Sequence, residues 1–288
     1  MKILNKNTHH HLNLSILFVF ITFIVVSCKK TEIKQEIPSY IIIKDVEVET
    51  NNNQGANTNN ITDVWVYLNE GQSRGAYPIN SIIPILTKDS TTIIIRAGIK
   101  DNGISNIRIP YTFYKSYNET VYLHQDSIIE ISPIFEYQEY ANISHENFEG
   151  VGTNIDTTIK SDIDFIINTE NNNNYAEANL TDENLIFEVS TEDFIGLPQV
   201  GSPVYLELDY KSNTTFTIGA YINYIFGVEN RPLVNVTKKD EWNKIYINLT
   251  NTVSSATNNI SMKFYINMYR TDTNENKWIK FDNLKLVY

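Results

Sequence analysis

One cysteine in 288 residues, Cys28, leaves no partner for an intrachain disulfide and no cysteine-built zinc cage. Histidine is nearly as scarce: of five, only His124 and His145 follow Cys28, which excludes a three-histidine zinc site there. The chain also lacks a P-loop and a G-x-G-x-x-G dinucleotide fingerprint. Paired carboxylates are uninformative, because 34 acidic residues make chance pairs common. No catalytic constellation emerges. Positive charge is short as well, with 23 Lys and Arg giving a formal net charge of -11. Such a balance opposes nucleic acid as a partner. After residue 26 no apolar run is long enough to cross a bilayer as a helix.

What is present begins at the N-terminus. Lys2 and Lys6 precede an apolar run over residues 12–26, shorter than the ~20 residues of a membrane span. Val25, Val26 and Ser27 then lead into Cys28. This arrangement resembles a bacterial lipoprotein box. The resemblance implies a signal peptide over 1–27 and a covalent lipid on Cys28, with diacylglycerol on the thiol and a palmitate-type acyl chain on the amine. Two or more chains make a stable anchor where one does not. Removing Lys2 and Lys6 with the signal lowers the formal charge by two more, to -13. Residues 28–39 read as a polar tether. Glu32 and Glu36 behind two lysines are similar to the export signal of Bacteroidetes-type lipoproteins, which implies an outer-membrane location. Whether the protein faces the periplasm or the exterior stays open.

From Tyr40 onward short β-branched and aromatic runs alternate with polar turns, as in "YIIIKDVEVE", "ITDVWVYLN", "TTIIIRAGIK" and "IIEISPIFEY". A second set runs from "HENFEGVG" to the C-terminus. No window has a helical period. The pattern predicts an all-β fold of two tandem β-sandwich domains, over 40–140 and 144–288. Residues 51–60, "NNNQGANTNN", read as a long exposed loop.

Two further resemblances follow. "NFEG" (147–150), "DEWNKIYINL" (240–249) and "IKFDNLKLVY" (279–288) together resemble the galactose-binding-like jelly rolls of carbohydrate-binding modules. That likeness implies glycan binding and a structural Ca²⁺ held by Glu149 and Asp282, hard oxygen ligands of the kind calcium takes. "DVWVYLNEGQSRGAYPI" and "AGIKDNGISNIRIPYTFY" resemble transthyretin-like or immunoglobulin-like sandwiches of surface lipoproteins. They imply fold and location only.

Period-two alternation sorts the later strands into faces. One carries Val204, Leu206, Leu208, Phe216, Ile218, Ala220, Ile245, Ile247, Leu249, Met262, Phe264, Ile266 and Met268, a core face. The other carries Tyr205, Tyr221, Tyr246, Tyr265 and Tyr269 among Asn, Asp and Glu. With Trp242, these five tyrosines are the expected ligand-binding residues. Rings can stack on a pyranose while amides and carboxylates bond its hydroxyls; tyrosine also suits a protein interface or plain sheet decoration. The sequence therefore points to a non-catalytic outer-membrane lipoprotein that binds glycan or polysaccharide. The alternative is a structural or interaction subunit of an envelope protein complex serving secretion, gliding or nutrient uptake.

Overall fold

Runs of alternating Val, Ile and aromatic residues favour pleated strands, because branched side chains pack well on a half-buried sheet. The computed structural model describes residues 37–288 apart from 70, 87, 88, 182 and 273, and these form an all-β protein. The apolar N-terminal run, Cys28 and most of the tether lie outside the described residues.

The first sandwich holds β1 (Ser39–Ile43), β2 (Glu47–Glu49), β3 (Asp63–Leu68), β4 (Gln72–Pro78) and β5 (Ile82–Ile85). It continues with β6 (Asp89–Lys100), β7 (Arg108–Pro110), β8 (Tyr117–Leu123), β9 (Ile128–Ile131) and β10 (Ile134–Glu136). One layer has the order β4-β3-β6-β7, with β8 also on β6; the smaller sheets are β5-β1-β9 and β10-β2. Val64, Val66 and Leu68 meet Ile41, Ile43, Ile93 and Ile95 in its core.

The second sandwich opens with β11 (Ile143–Glu146), β12 (Ile155–Thr157), β13 (Ile166–Glu170), β14 (Asn173–Leu180) and β15 (Ile186–Thr191). Next come β16 (Tyr205–Ser212), β17 (Phe216–Tyr224), β18 (Gly227–Val236) and β19 (Lys239–Asn248). A short helix α1 (Thr250–Ser255) precedes β20 (Ser261–Tyr269) and β21 (Lys277–Val287). One sheet, called the inner sheet here, runs β13-β14-β21-β16-β19 with β11 on β21; the other, the outer sheet, runs β12-β15-β20-β17-β18. All thirteen residues expected on the core face lie in the core between them. Helix α1 escaped the sequence reading because six residues are too few to display a period.

The two sandwiches belong to one compact unit, Pro38–Tyr288. Tyr205, Tyr246 and Val287 of the second sandwich pack into the first sandwich's core cluster. The asparagine-rich stretch 51–60 is more than the exposed loop its composition suggests. A Cβ at Gly55 would meet the His145 ring at 3.0 Å and Lys285 at 3.2 Å, so the backbone presses on β11 and β21. Ala56 O accepts a 2.6 Å bond from Lys285 Nζ, and Asn60 Nδ2 donates to Lys244 O at 2.8 Å. The loop straps the first sandwich to the second.

Candidate functional site

The strand alternation was right, yet the tyrosines it grouped do not share a surface. They divide between two sheets whose outward faces point apart. Tyr205 and Tyr246 rise from the inner sheet into the contact between sandwiches, and both are buried. Tyr111 packs edge-on against Tyr205 at 5.2 Å between centroids and lies 5.0 Å from Tyr246. Asn60 N donates to Tyr246 Oη at 3.2 Å, and the Tyr114 and Tyr246 hydroxyls pair at 3.3 Å. Neither predicted ring is open to a ligand; the first sandwich occupies the face.

Charge is sealed in the same contact. Lys244 Nζ lies 3.1 Å from Glu207 and 3.6 Å from Asp209, with all three side chains buried. Tyr111 Oη donates to Glu207 Oε1 at 2.6 Å, and Tyr137 Oη approaches both Glu207 oxygens at 2.9 Å. Burial alone would raise the Glu207 pKa, but Lys244 and Lys285 outweigh it and hold the carboxyl low. Lys285 fares the other way: burial, reinforced by Lys244, pulls its pKa down to about 8. Burial and the Glu207 charge push the Tyr111 and Tyr137 phenols well above their ordinary value.

The outer sheet keeps the other three tyrosines. Tyr265 lies across Gly219 of β17: a Cβ there would sit 2.1 Å from its Cζ, so only glycine fits under the ring. Its hydroxyl reaches β18, donating to Asn230 Oδ1 at 2.9 Å. Tyr265 is 4% exposed and acts as a support for Tyr221, whose ring packs against it at 4.8 Å between centroids with a 36° tilt. Tyr221 Oη donates to Glu188 Oε1 at 2.6 Å, and Lys160 Nζ sits 4.7 Å from the Tyr221 centroid. Asn267 Nδ2 donates to the other Glu188 oxygen at 3.0 Å. Asn267 Oδ1 is buried and has no hydrogen-bond partner among the described residues. Tyr269, at the end of β20, is 54% exposed. The outer sheet therefore presents Tyr221 and Tyr269 over a floor of Tyr265, Glu188 and Asn267.

No family model and no curated protein matches the chain. Solved structures do. A family 11 carbohydrate-binding module from Clostridium thermocellum, in complex with a beta-1,3-1,4-mixed-linked tetrasaccharide, is similar over 51% of this chain and 94% of its own, with 16% identity and a TM-score of 0.36. A family 22 xylan-binding domain from Paenibacillus barcinonensis covers 50% of this chain and 97% of its own, with 12% identity and a TM-score of 0.36. A family 29 module complexed with mannohexaose covers 51% and 92%, with 12% identity and a TM-score of 0.34. The likeness is distant.

The remaining predicted residues fall elsewhere. Trp242 lies on the inner sheet beyond the sealed contact, edge-on to Tyr175 at 5.6 Å. Glu149 and Asp282 come from opposite ends of the domain and meet consecutive asparagines. Asn174 N and Nδ2 donate to Glu149 at 2.6 and 2.9 Å, and Asn173 Nδ2 donates to Asp282 at 2.8 Å. Burial, with Asp209 and Glu149 nearby, raises the Asp282 pKa to about 6. The donor set is hard oxygen and short of positive charge, which suits Ca²⁺, although amides already occupy these oxygens. No group of three or more His, Cys, Asp or Glu able to hold a metal occurs among the described residues. His124 lies beside Tyr122 in the first sandwich, and His145 lies in β11, with its pKa lowered by burial and Lys285. One Gly-x-Ser-x-Gly spacing does occur, at residues 71–75. Ser73 stands exposed on strand β4 of a hairpin, not on a strand-to-helix elbow.

Sequence reading missed Glu188, Lys160 and the Gly219 slot. Gly219 was the available signal, because a glycine inside "TTFTIGAYINY" marks a close approach. One end of the second sandwich also carries exposed apolar residues on separate loops. Ile225 and Phe226 form the β17–β18 turn, and Phe226 is 99% exposed. Ile260 N bonds Asn223 O at 2.7 Å, which places exposed Ile260 beside that hairpin. Val200, 96% exposed, has a φ of +61°, a strained conformation for a β-branched side chain.

Proposed function

We propose that the outer sheet of the second sandwich binds a glycan, non-catalytically, through Tyr221 and Tyr269. The observation that carries this reading is the layered floor: Tyr221 held against Tyr265, which covers Gly219, beside the orphaned acceptor Asn267 Oδ1. A ring fixed in place offers a stacking surface with little conformational entropy left to lose. A buried acceptor without a donor is costly, and a sugar hydroxyl would satisfy it. The protein does this work at the outer membrane, anchored by lipid on Cys28; the support here is the sequence alone. Calcium at Glu149 and Asp282 would brace the domain, displacing the asparagine amides that now hold the pair.

The test is retention of the purified full chain on a polysaccharide panel, beside Tyr221→Ala and Tyr269→Ala. Retention on one glycan that either variant loses at least tenfold is expected; no retention on any glycan overturns the reading. The anchor reading expects Cys28→Ser to abolish lipid labelling and release the protein from membranes. The calcium reading expects EDTA to lower Tm, and an unchanged Tm sinks it.

The exposed Phe226, Ile225, Val200 and Ile260 favour a second reading, an interaction subunit of an envelope complex. Apolar side chains gathered at one end, one of them on strained backbone, are what a partner would cover. Phe226→Ser should then abolish co-purification of an envelope protein while leaving glycan retention intact.

A further inference from the structure

Between the sandwiches lies a cleft of about 280 Å³ whose lining includes one predicted site residue, the buried Tyr246. The hairpin after β6 forms one wall, with Lys100 and Asn102. The second sandwich forms the other, with Asn235, Lys239 and Asn243, and Asn60 of the strap closes one side. No carboxylate lines it, in a chain of net charge -11. Lys244, also in the lining, is neutralised by Glu207 and Asp209, but the side-chain ammonium groups of Lys100 and Lys239 have no hydrogen bond or ion pair among the described residues. Two uncommitted lysines thus line one cleft from different sandwiches, together with Asn60, Asn102, Asn235 and Asn243.

The walls are fixed. Asn102 N donates to Tyr246 O at 3.0 Å, and Asn248 N donates to Asn102 Oδ1 at 2.8 Å. A Cβ at Gly103 would meet Ile245 Cδ1 at 2.8 Å, so the hairpin is seated directly on β19. A rigid cleft spends little binding energy on ordering itself. Its volume is near the lower end of small-molecule sites, room for one or two sugar rings.

The geometry points to a second ligand site in this cleft, for a carboxylated sugar such as a uronate. Lys100 and Lys239 hold the carboxylate and the asparagine amides take the hydroxyls, which are donor and acceptor at once. The site stands apart from the tyrosine face and does not depend on it, although Asn235 adjoins both, accepting a bond from Thr217 at 2.8 Å.

Titration of the full chain with digalacturonate, cellobiose and sodium sulfate, followed by calorimetry, tests this. Digalacturonate should bind, cellobiose should not, and Lys100→Gln and Lys239→Gln should each weaken binding about three- to tenfold with Tm unchanged. Rising NaCl should weaken it further, since an open cleft is screened. Tyr221→Ala should leave digalacturonate binding intact, which separates failure of this site from failure of the tyrosine face. Cellobiose binding as tightly, sulfate binding as tightly and competing, or indifference of both lysine variants would each overturn the assignment.

Discussion

The two sheets of the second sandwich begin from the same pattern, tyrosines alternating with polar residues, and end in opposite conditions. On the inner sheet, Tyr205 and Tyr246 are sealed under the first sandwich together with Glu207, Lys244 and Lys285. On the outer sheet, Tyr269 faces solvent and Tyr221 is half-buried over the ring of Tyr265. Aromatic content does not separate them. What differs is the company the polar residues keep: the inner sheet carries two lysines and two carboxylates that neutralise one another, and the first sandwich brings phenols to complete the set. The outer sheet has a single buried carboxylate, Glu188, whose bonds come from its own sandwich.

The largest effect should come from breaking the sealed side. Glu207→Gln leaves Lys244 and Lys285 short of a countercharge in a buried contact, and should cost about 3–5 kcal/mol in urea unfolding. A cost below about 1 kcal/mol would mean that water already reaches the contact. On the open side, Gly219→Ala must displace Tyr265, at roughly 1–3 kcal/mol. It should also remove glycan retention, whereas Glu207→Gln assayed under folded conditions should not. Loss of retention in both variants would show that the two faces are not independent.

A smaller effect is expected from pH. Lys285 has a pKa of about 8 in the fold against an ordinary 10.5. Between these values the unfolded chain binds the additional proton, so the Lys285 contribution stabilises progressively as pH climbs through that window and is unfavourable below it. Tm measured from pH 7.5 to 9.5 at constant ionic strength should rise more steeply in the wild type than in Lys285→Met; equal slopes would remove Lys285 as the cause. Above pH 10 the raised phenols oppose the trend. Tyr111 and Tyr137 keep their protons in the fold while unfolded tyrosine loses them, which favours unfolding.

Much of the fold was legible because it rests on local alternation. Ile245 and Ile247 point inward and Lys244 and Tyr246 outward, as period two requires. What alternation could not tell is which sheet each strand joins. β16 and β17 are consecutive in sequence, yet one pairs with β19 and β21 and the other with β18 and β20. Their outward residues therefore part company, and the six expected ligand contacts scattered over three places. The strap over 51–60 was illegible for a related reason: its composition speaks of solubility, while its role depends on Lys285, which lies 229 residues from its acceptor in the chain.

That strap bears on whether the second sandwich is a portable part. Sandwiches that bind ligands are often treated as units to be cut out and moved between proteins, on the premise that their surfaces are finished. Here one surface is not. A chain beginning at Ile143 would lose Tyr111, Tyr137 and the Ala56 carbonyl, and would turn Tyr205, Tyr246, Glu207, Lys244 and Lys285 out into water. The second sandwich is half of a shared piece of chemistry, and moving it intact means moving its neighbour too.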